Sequence, residues 1–176
     1  MVAMIPEAAV CTLAACQPSD LIRVPLRGAS PLAFVAGGLE GGGTQVVVLE
    51  ELDGRKPPFV IRGVQADTMV LGYGREYRIQ LATAPDMVDV GRSRGWEHVG
   101  VVIAEPDRHL LCARMQGGHF SDEIWYEIGT GRLTYDVRRG QGAVFRKWNL
   151  LLPLPGVGLE AVDTLLSITV DLPRQP

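Results

Sequence analysis

Ile124-Trp125-Tyr126-Glu127-Ile128, then Gly129-Thr130-Gly131, then Arg132-Leu133-Thr134-Tyr135-Asp136-Val137 is the stretch on which the fold turns. β-Branched and aromatic residues on either side of a glycine-flanked threonine read as the two strands of a hairpin. Two registers compete. With Gly129-Thr130-Gly131 as the loop, Ile128 faces Arg132 and Tyr126 faces Thr134, which mixes apolar and polar side chains on each surface. With Ile128 opposite Leu133, one face carries Ile124, Tyr126, Ile128, Leu133, Tyr135 and Val137, and the other carries Trp125, Glu127, Thr134 and Asp136. A slip of one residue inverts every side chain, so burial of one face selects the second register. The turn is then Thr130-Gly131, or a loop from Gly129 to Arg132, with both tyrosines inside and Trp125 outside.

Upstream, Val99 to Ala104 and His109 to Met115 form a second hairpin around Glu105-Pro106-Asp107-Arg108. This loop pairs Ile103 with Leu110, Val102 with Leu111 and Val101 with Cys112, and leaves the ribbon apolar on both faces. Such a ribbon belongs in the middle of the protein, covered on both sides. Further strands are expected over Leu21 to Leu26, Pro31 to Ala36, Gln45 to Leu52 and Phe59 to Val64, with Asp53-Gly54 as a turn. Thr68 to Leu71 and Tyr77 to Leu81 read as a pair around Gly72-Tyr73-Gly74, and 83–97 as a long excursion. Gly142 to Leu152 reads as one strand. The stretch from Leu159 to Leu166 allows a helical face (Val162, Leu165, Leu166), while Ile168-Thr169-Val170 favours a last strand. Residues 6–16, with Pro6 and Glu7 at the start and Ala8, Ala9, Ala14 and Ala15 within, read as a short helix stopped by Gln17-Pro18.

The 21 glycines and 12 prolines among 176 residues leave little room for long helices. A chain that is 47% hydrophobic and 21% charged is globular in composition and long enough to bury one substantial core. The expectation is therefore a mainly β protein, an antiparallel β-sandwich or thick β-barrel of about ten strands with one short N-terminal helix, in a single domain over 1–176. A net charge of −3 gives no general attraction to nucleic acid or anionic lipid, and no apolar run is long enough for a membrane-spanning helix.

The sequence carries no cofactor fingerprint. The glycine-rich segment from Gly37 to Gly43 lacks the helix and Lys-Ser/Thr of a phosphate loop and reads as a strand connection or the mouth of a ligand site. Cys11, Cys16 and Cys112 form an odd set that suggests reduced thiols and a cytoplasmic setting; a zinc site from these with His119 lacks any compact ligand pair. Leu13-Ala14-Ala15-Cys16 matches a lipoprotein cleavage box, which makes lipid anchoring through Cys16 the minor alternative, although no basic residue precedes it. Gly91-Arg92-Ser93-Arg94-Gly95 matches the nucleophile elbow of hydrolases, yet no helix signal follows.

Of the three histidines, His119 lies with Ser121, Asp122 and Glu123 in a polar loop between the hairpins, the place where His chemistry would sit. His109 borders Glu105 and Asp107. Trp125, Arg138, Arg139 and Trp148 interleave aromatic and guanidinium groups suited to a protein interface. Three functions follow. The leading one is a non-enzymatic structural or interaction module that self-associates, with Trp125, Arg138, Arg139, Trp148 and His109 as contacts. The second is a small metal-independent hydrolase-like enzyme using His119 with Ser93 or Asp122. The third is a β protein binding a small ligand or carbohydrate.

Overall fold

In the computed structural model the described residues are 8–37, 44–90, 99–115, 123–138, 142–154 and 162–171. They contain fifteen strands: β1 (Ala9–Thr12), β2 (Leu21–Arg23), β3 (Leu32–Ala36), β4 (Thr44–Val48), β5 (Phe59–Val64), β6 (Met69–Gly74), β7 (Arg78–Leu81), β8 (Val88–Val90), β9 (Val102–Ala104), β10 (His109–Met115), β11 (Glu123–Glu127), β12 (Arg132–Thr134), β13 (Ala143–Phe145), β14 (Lys147–Pro153) and β15 (Val162–Thr169). Twelve join one sheet in the order β1-β6-β2-β3-β4-β5-β10-β9-β13-β8, with β11 and β12 continuing from the other edge of β10. β15, β14 and β7 form a second sheet. Neither sheet closes into a barrel, and the arrangement is sandwich-like. Among the described residues no helix is long and apolar enough to cross a membrane.

Alternation along the strands divides the interior. Leu32 and Phe34 of β3, Val47 of β4, Leu111 and Ala113 of β10, and Ile124 and Tyr126 of β11 meet Trp148, Leu150 and Leu152 of β14. This is the layer between the sheets. The opposite faces of β2 to β6 gather Ile22, Ala33, Val35, Val46, Val48 and Phe59 with Leu13. The opposite faces of β9, β10, β11 and β13 gather Val101, Ile103, Leu110, Cys112, Trp125 and Val144.

The hairpin β9–β10 has the expected register, with Ile103 opposite Leu110 and Val102 opposite Leu111, and with the Cys112 amide donating to the Val101 carbonyl at 3.0 Å. It is buried on both faces, as an apolar ribbon requires.

The hairpin β11–β12 departs from expectation. Tyr126 lies opposite Leu133 and Glu127 opposite Arg132, two residues away from the expected pairing. A shift of two keeps every side chain on its face, so Ile124, Tyr126, Ile128 and Leu133 still share one apolar surface. The loop is Ile128 to Gly131, closed by the Gly131 amide on the Glu127 carbonyl at 2.8 Å with Gly131 at φ +71°. Ile128 looks like a strand residue because it is apolar, but its amide bonds the His109 carbonyl and its side chain is buried from the loop.

Two exposures are reversed. Trp125 is 5% exposed, filling the outer cluster with Cys112 and Val144, whereas Tyr135 is 61% exposed. β12 ends at Thr134, whose hydroxyl accepts the Asp136 amide; the chain turns there, throws Tyr135 outward and brings Val137 against the outer cluster.

Three other expectations are corrected, and one open reading is decided. No N-terminal helix is present in the described part of 6–16: β1 pairs antiparallel with β6, and only a 3₁₀ turn at Leu13–Ala15 is helical. A helix of this length is marginal in water, and edge pairing outweighs its alanine propensity. The strands around Gly72-Tyr73-Gly74 are not partners, since these residues belong to β6, which pairs β1 and β2, while β7 pairs β14. Gly142 to Leu152 is two strands in different sheets, separated at Arg146. The described part of the ambiguous stretch, from Val162 on, is strand β15.

Candidate functional site

A groove of about 370 Å³ opens where the start of β5, the far ends of β10 and β11, and the end of β15 converge. The ladder builds it. Arg114 lies opposite Glu123 across β10–β11 and opposite Phe59 across β10–β5, with its amide donating to the Pro58 carbonyl at 3.0 Å. Arg114 follows Leu110 and Cys112 on the outer face of β10, so the groove begins where the buried outer cluster stops. Lys56 and Pro57 form one wall; Ile168, Thr169, Val170 and Asp171 form another, and Val99 contributes apolar surface.

Val99 is held by its neighbour. Gly100 has φ +99°, and a Cβ there would stand 3.0 Å from Val170 Cγ2; its carbonyl accepts the buried Trp148 indole N–H at 2.8 Å, and its amide donates to Cys112. Trp148, expected as a surface anchor, is 1% exposed and acts from inside the sandwich on the backbone beside the groove.

The groove presents two cations, Lys56 and Arg114, two carboxylates, Glu123 and Asp171, and a floor of valine and isoleucine. Among the described residues no aromatic ring lines it. Beneath it, burial pushes the Cys112 thiol well above its usual range; Glu123 adds to the shift and Arg114 opposes it.

A second charged cluster sits at the opposite end of β10. The Glu105 side chain is fully buried; it accepts from Arg108 Nε at 2.7 Å and from the Arg138 amide at 2.9 Å. Arg138 also pairs with Asp107 at 3.2 Å, and Arg108 donates to the Asp136 carbonyl at 3.0 Å. Arg108 is raised above the usual guanidinium value chiefly by its bond to Glu105. These bonds are internal, and they clasp the β9–β10 turn to the chain leaving β12.

Arg138 is therefore exposed but engaged, and His109 is exposed at the start of β10, opposite Ala104. The structure does not bring Trp125, Arg138 and Trp148 onto one surface, because both indoles are inside. His119, Ser93, Asp122 and Arg139 lie outside the described residues, as do most of Gly37 to Gly43 and the whole nucleophile-elbow match from Gly91 to Gly95. Cys11 and Cys16 belong to one cluster and Cys112 to another, and among the described residues no three His, Cys, Asp or Glu side chains group as metal ligands.

The groove residues escape sequence reasoning because they come from five separate segments. Arg114 carries the one local signal, a guanidinium ending an apolar strand run. The chain matches no protein-family model, no curated protein and no solved structure.

Proposed function

We propose that the protein is a non-enzymatic binding module whose groove takes a small ligand bearing both a positive and a negative group, such as an amino acid or the end of a short peptide. The observation that carries this reading is the set of opposed charges, Lys56 and Arg114 against Glu123 and Asp171, around an apolar floor in about 370 Å³ of space. That volume lies within the range of small-molecule sites. A ligand carboxylate matches the planar donors of Arg114, an ammonium matches a carboxylate, and an aliphatic side chain matches Val99, Ile168 and Val170. A polyanion would meet two carboxylates.

Calorimetric titration of the full chain with free amino acids and dipeptides tests this. The expected result is saturable binding with a Kd of roughly 0.1 mM, weakened about tenfold or more by Arg114→Ala and by Asp171→Ala. Absence of saturable binding across the panel, or equal affinity in Arg114→Ala, overturns it.

Self-association is a second reading, supported by a different observation. β1 ends the large sheet, and Val10 and Met69, which lie on the same face of the β1–β6 ladder, are 71% and 53% exposed. Apolar side chains beside a sheet edge suit pairing with a second copy. Light scattering across a concentration series tests it: a dimer that Val10→Lys dissociates supports the reading, and a monomer throughout removes it.

A further inference from the structure

Two half-buried thiols lie together near the start of the chain. Cys11 is in β1, opposite Val70 of β6, and Cys16 caps the 3₁₀ turn that follows; their sulfurs are 3.6 Å apart. The turn between them is held firmly. The Leu13 amide donates to the Thr68 carbonyl and the Ala14 amide to the Ala66 carbonyl, each at 2.8 Å, and Leu13 is buried in the cluster beneath. Gly72 on the neighbouring strand leaves room for the Cys11 sulfur, since a Cβ there would stand 3.4 Å from it. The Cys16 sulfur has the Thr12 carbonyl 3.7 Å away as a further contact. The third cysteine, Cys112, is fully buried in a separate cluster.

We propose that Cys11 and Cys16 are a modification site, a dithiol that a low-molecular-weight disulfide such as glutathione disulfide converts to an intramolecular bond stapling edge strand β1 to the segment after the turn. The two sulfurs are already in contact at 3.6 Å, and closing them to a bond of about 2.05 Å is a shift of about 1.5 Å. In the first step the Cys11 thiolate attacks one sulfur of the oxidant, forming a mixed disulfide and releasing one glutathione thiolate, which takes up a proton. Cys16 then loses its proton to solvent and attacks the Cys11 sulfur, releasing the second glutathione. Two protein thiols lose two electrons and two protons, and one oxidant disulfide becomes two thiols. Cys11 goes first because burial, together with the hydrogen bond and charge of Cys11 itself, pushes the Cys16 thiol up to about 12. Capping Cys11 as a mixed disulfide removes its negative charge and eases the second step. The reaction is accordingly slow at neutral pH and accelerates with base.

The test incubates the folded full chain with glutathione disulfide at mildly alkaline pH, followed by thiol counting and peptide mapping without reductant. The expected result is a monomer lighter by two hydrogens, one cross-linked peptide joining Cys11 to Cys16, and Cys112 alkylated only after unfolding. Cys16→Ser should instead stop at a stable glutathione adduct on Cys11. Cys11→Ser should leave Cys16 unmodified at the same time point. In the oxidised protein, amide exchange along β1 should slow about tenfold, a readout that a merely surface-exposed thiol would not move. A stable adduct on Cys11 in the unsubstituted chain, cross-links between chains, or two thiols still free when the urea-unfolded chain has already closed its bond would each overturn the proposal.

Discussion

The hairpins β9–β10 and β11–β12 sit side by side, joined through the β10–β11 ladder, and differ in how firmly local chemistry sets their register. In β9–β10 the turn is marked at both ends. Pro106 favours the turn and cannot extend a strand, and Glu105 and Arg108 bond through both backbone and side chains. In β11–β12 the turn has no such marker on its first side. Ile128 is as apolar as the strand before it, and its place in the loop follows from contacts with β10 and the core. The lesson is that an apolar pattern says which residues share a face and does not say where a strand stops.

The sharpest way to break this comparison is to truncate, one at a time, the two aromatic residues whose expected places are reversed. Trp125→Ala should destabilise the protein by about 3–5 kcal/mol in urea unfolding, the cost of emptying a core site. Tyr135→Ala should stay within about 0.5 kcal/mol, as for other exposed positions. Equal effects would return Trp125 to the surface.

The loop itself is next. Gly131→Ala forces a side chain into a left-handed residue where the new Cβ meets the Ser19 amide and Pro18, and should cost about 3 kcal/mol. Gly129→Ala, with open space around it, should change stability by no more than about 0.5 kcal/mol. A reversal of these two would place the turn where local reading put it.

At the marked turn, Glu105→Ala removes a buried carboxylate from Arg108 and the Arg138 amide and should cost about 2–3 kcal/mol, with Glu105→Gln retaining part of it. A loss within experimental error would mean that Pro106 and the backbone alone hold this register.

The smallest effect is a pH dependence shared by both hairpins. Burial raises the Cys112 thiol of β10 and the Tyr126 phenol of β11, and it also raises Cys16. Each folded group holds its proton more tightly than the unfolded chain does. Stability from these groups is complete below the unfolded values, about 8.5 for thiols and 10 for tyrosine, and is lost as pH rises past them toward the folded values. Urea midpoints measured from neutral to alkaline pH should fall from about pH 8.5 upward, and a Cys16→Ser, Cys112→Ala variant should delay that onset to the tyrosine range.

Much of the architecture was legible for a physical reason. Runs such as Val46-Val47-Val48 and the alternation in Tyr77 to Leu81 commit the chain to strands, and Phe59 to Val64 appears with the expected bounds. The N-terminal segment was not legible, because alanine propensity is weak against a ladder partner far along the chain. The groove was not legible either: Lys56, Arg114, Glu123 and Asp171 meet only when four segments converge.

Sequence alone determined that this chain is built from strands, that Ile124, Tyr126 and Leu133 share one face, and how β9 pairs with β10, since backbone pleating and a proline-marked turn act over a few residues. Tertiary structure alone decided that β11 is covered on both faces, that it stops at Glu127 with Ile128 in the loop, and that Trp125 and Trp148 are interior. Those outcomes depend on which distant layer arrives to exclude water from a face, and alternation along one strand carries no information about that arrival.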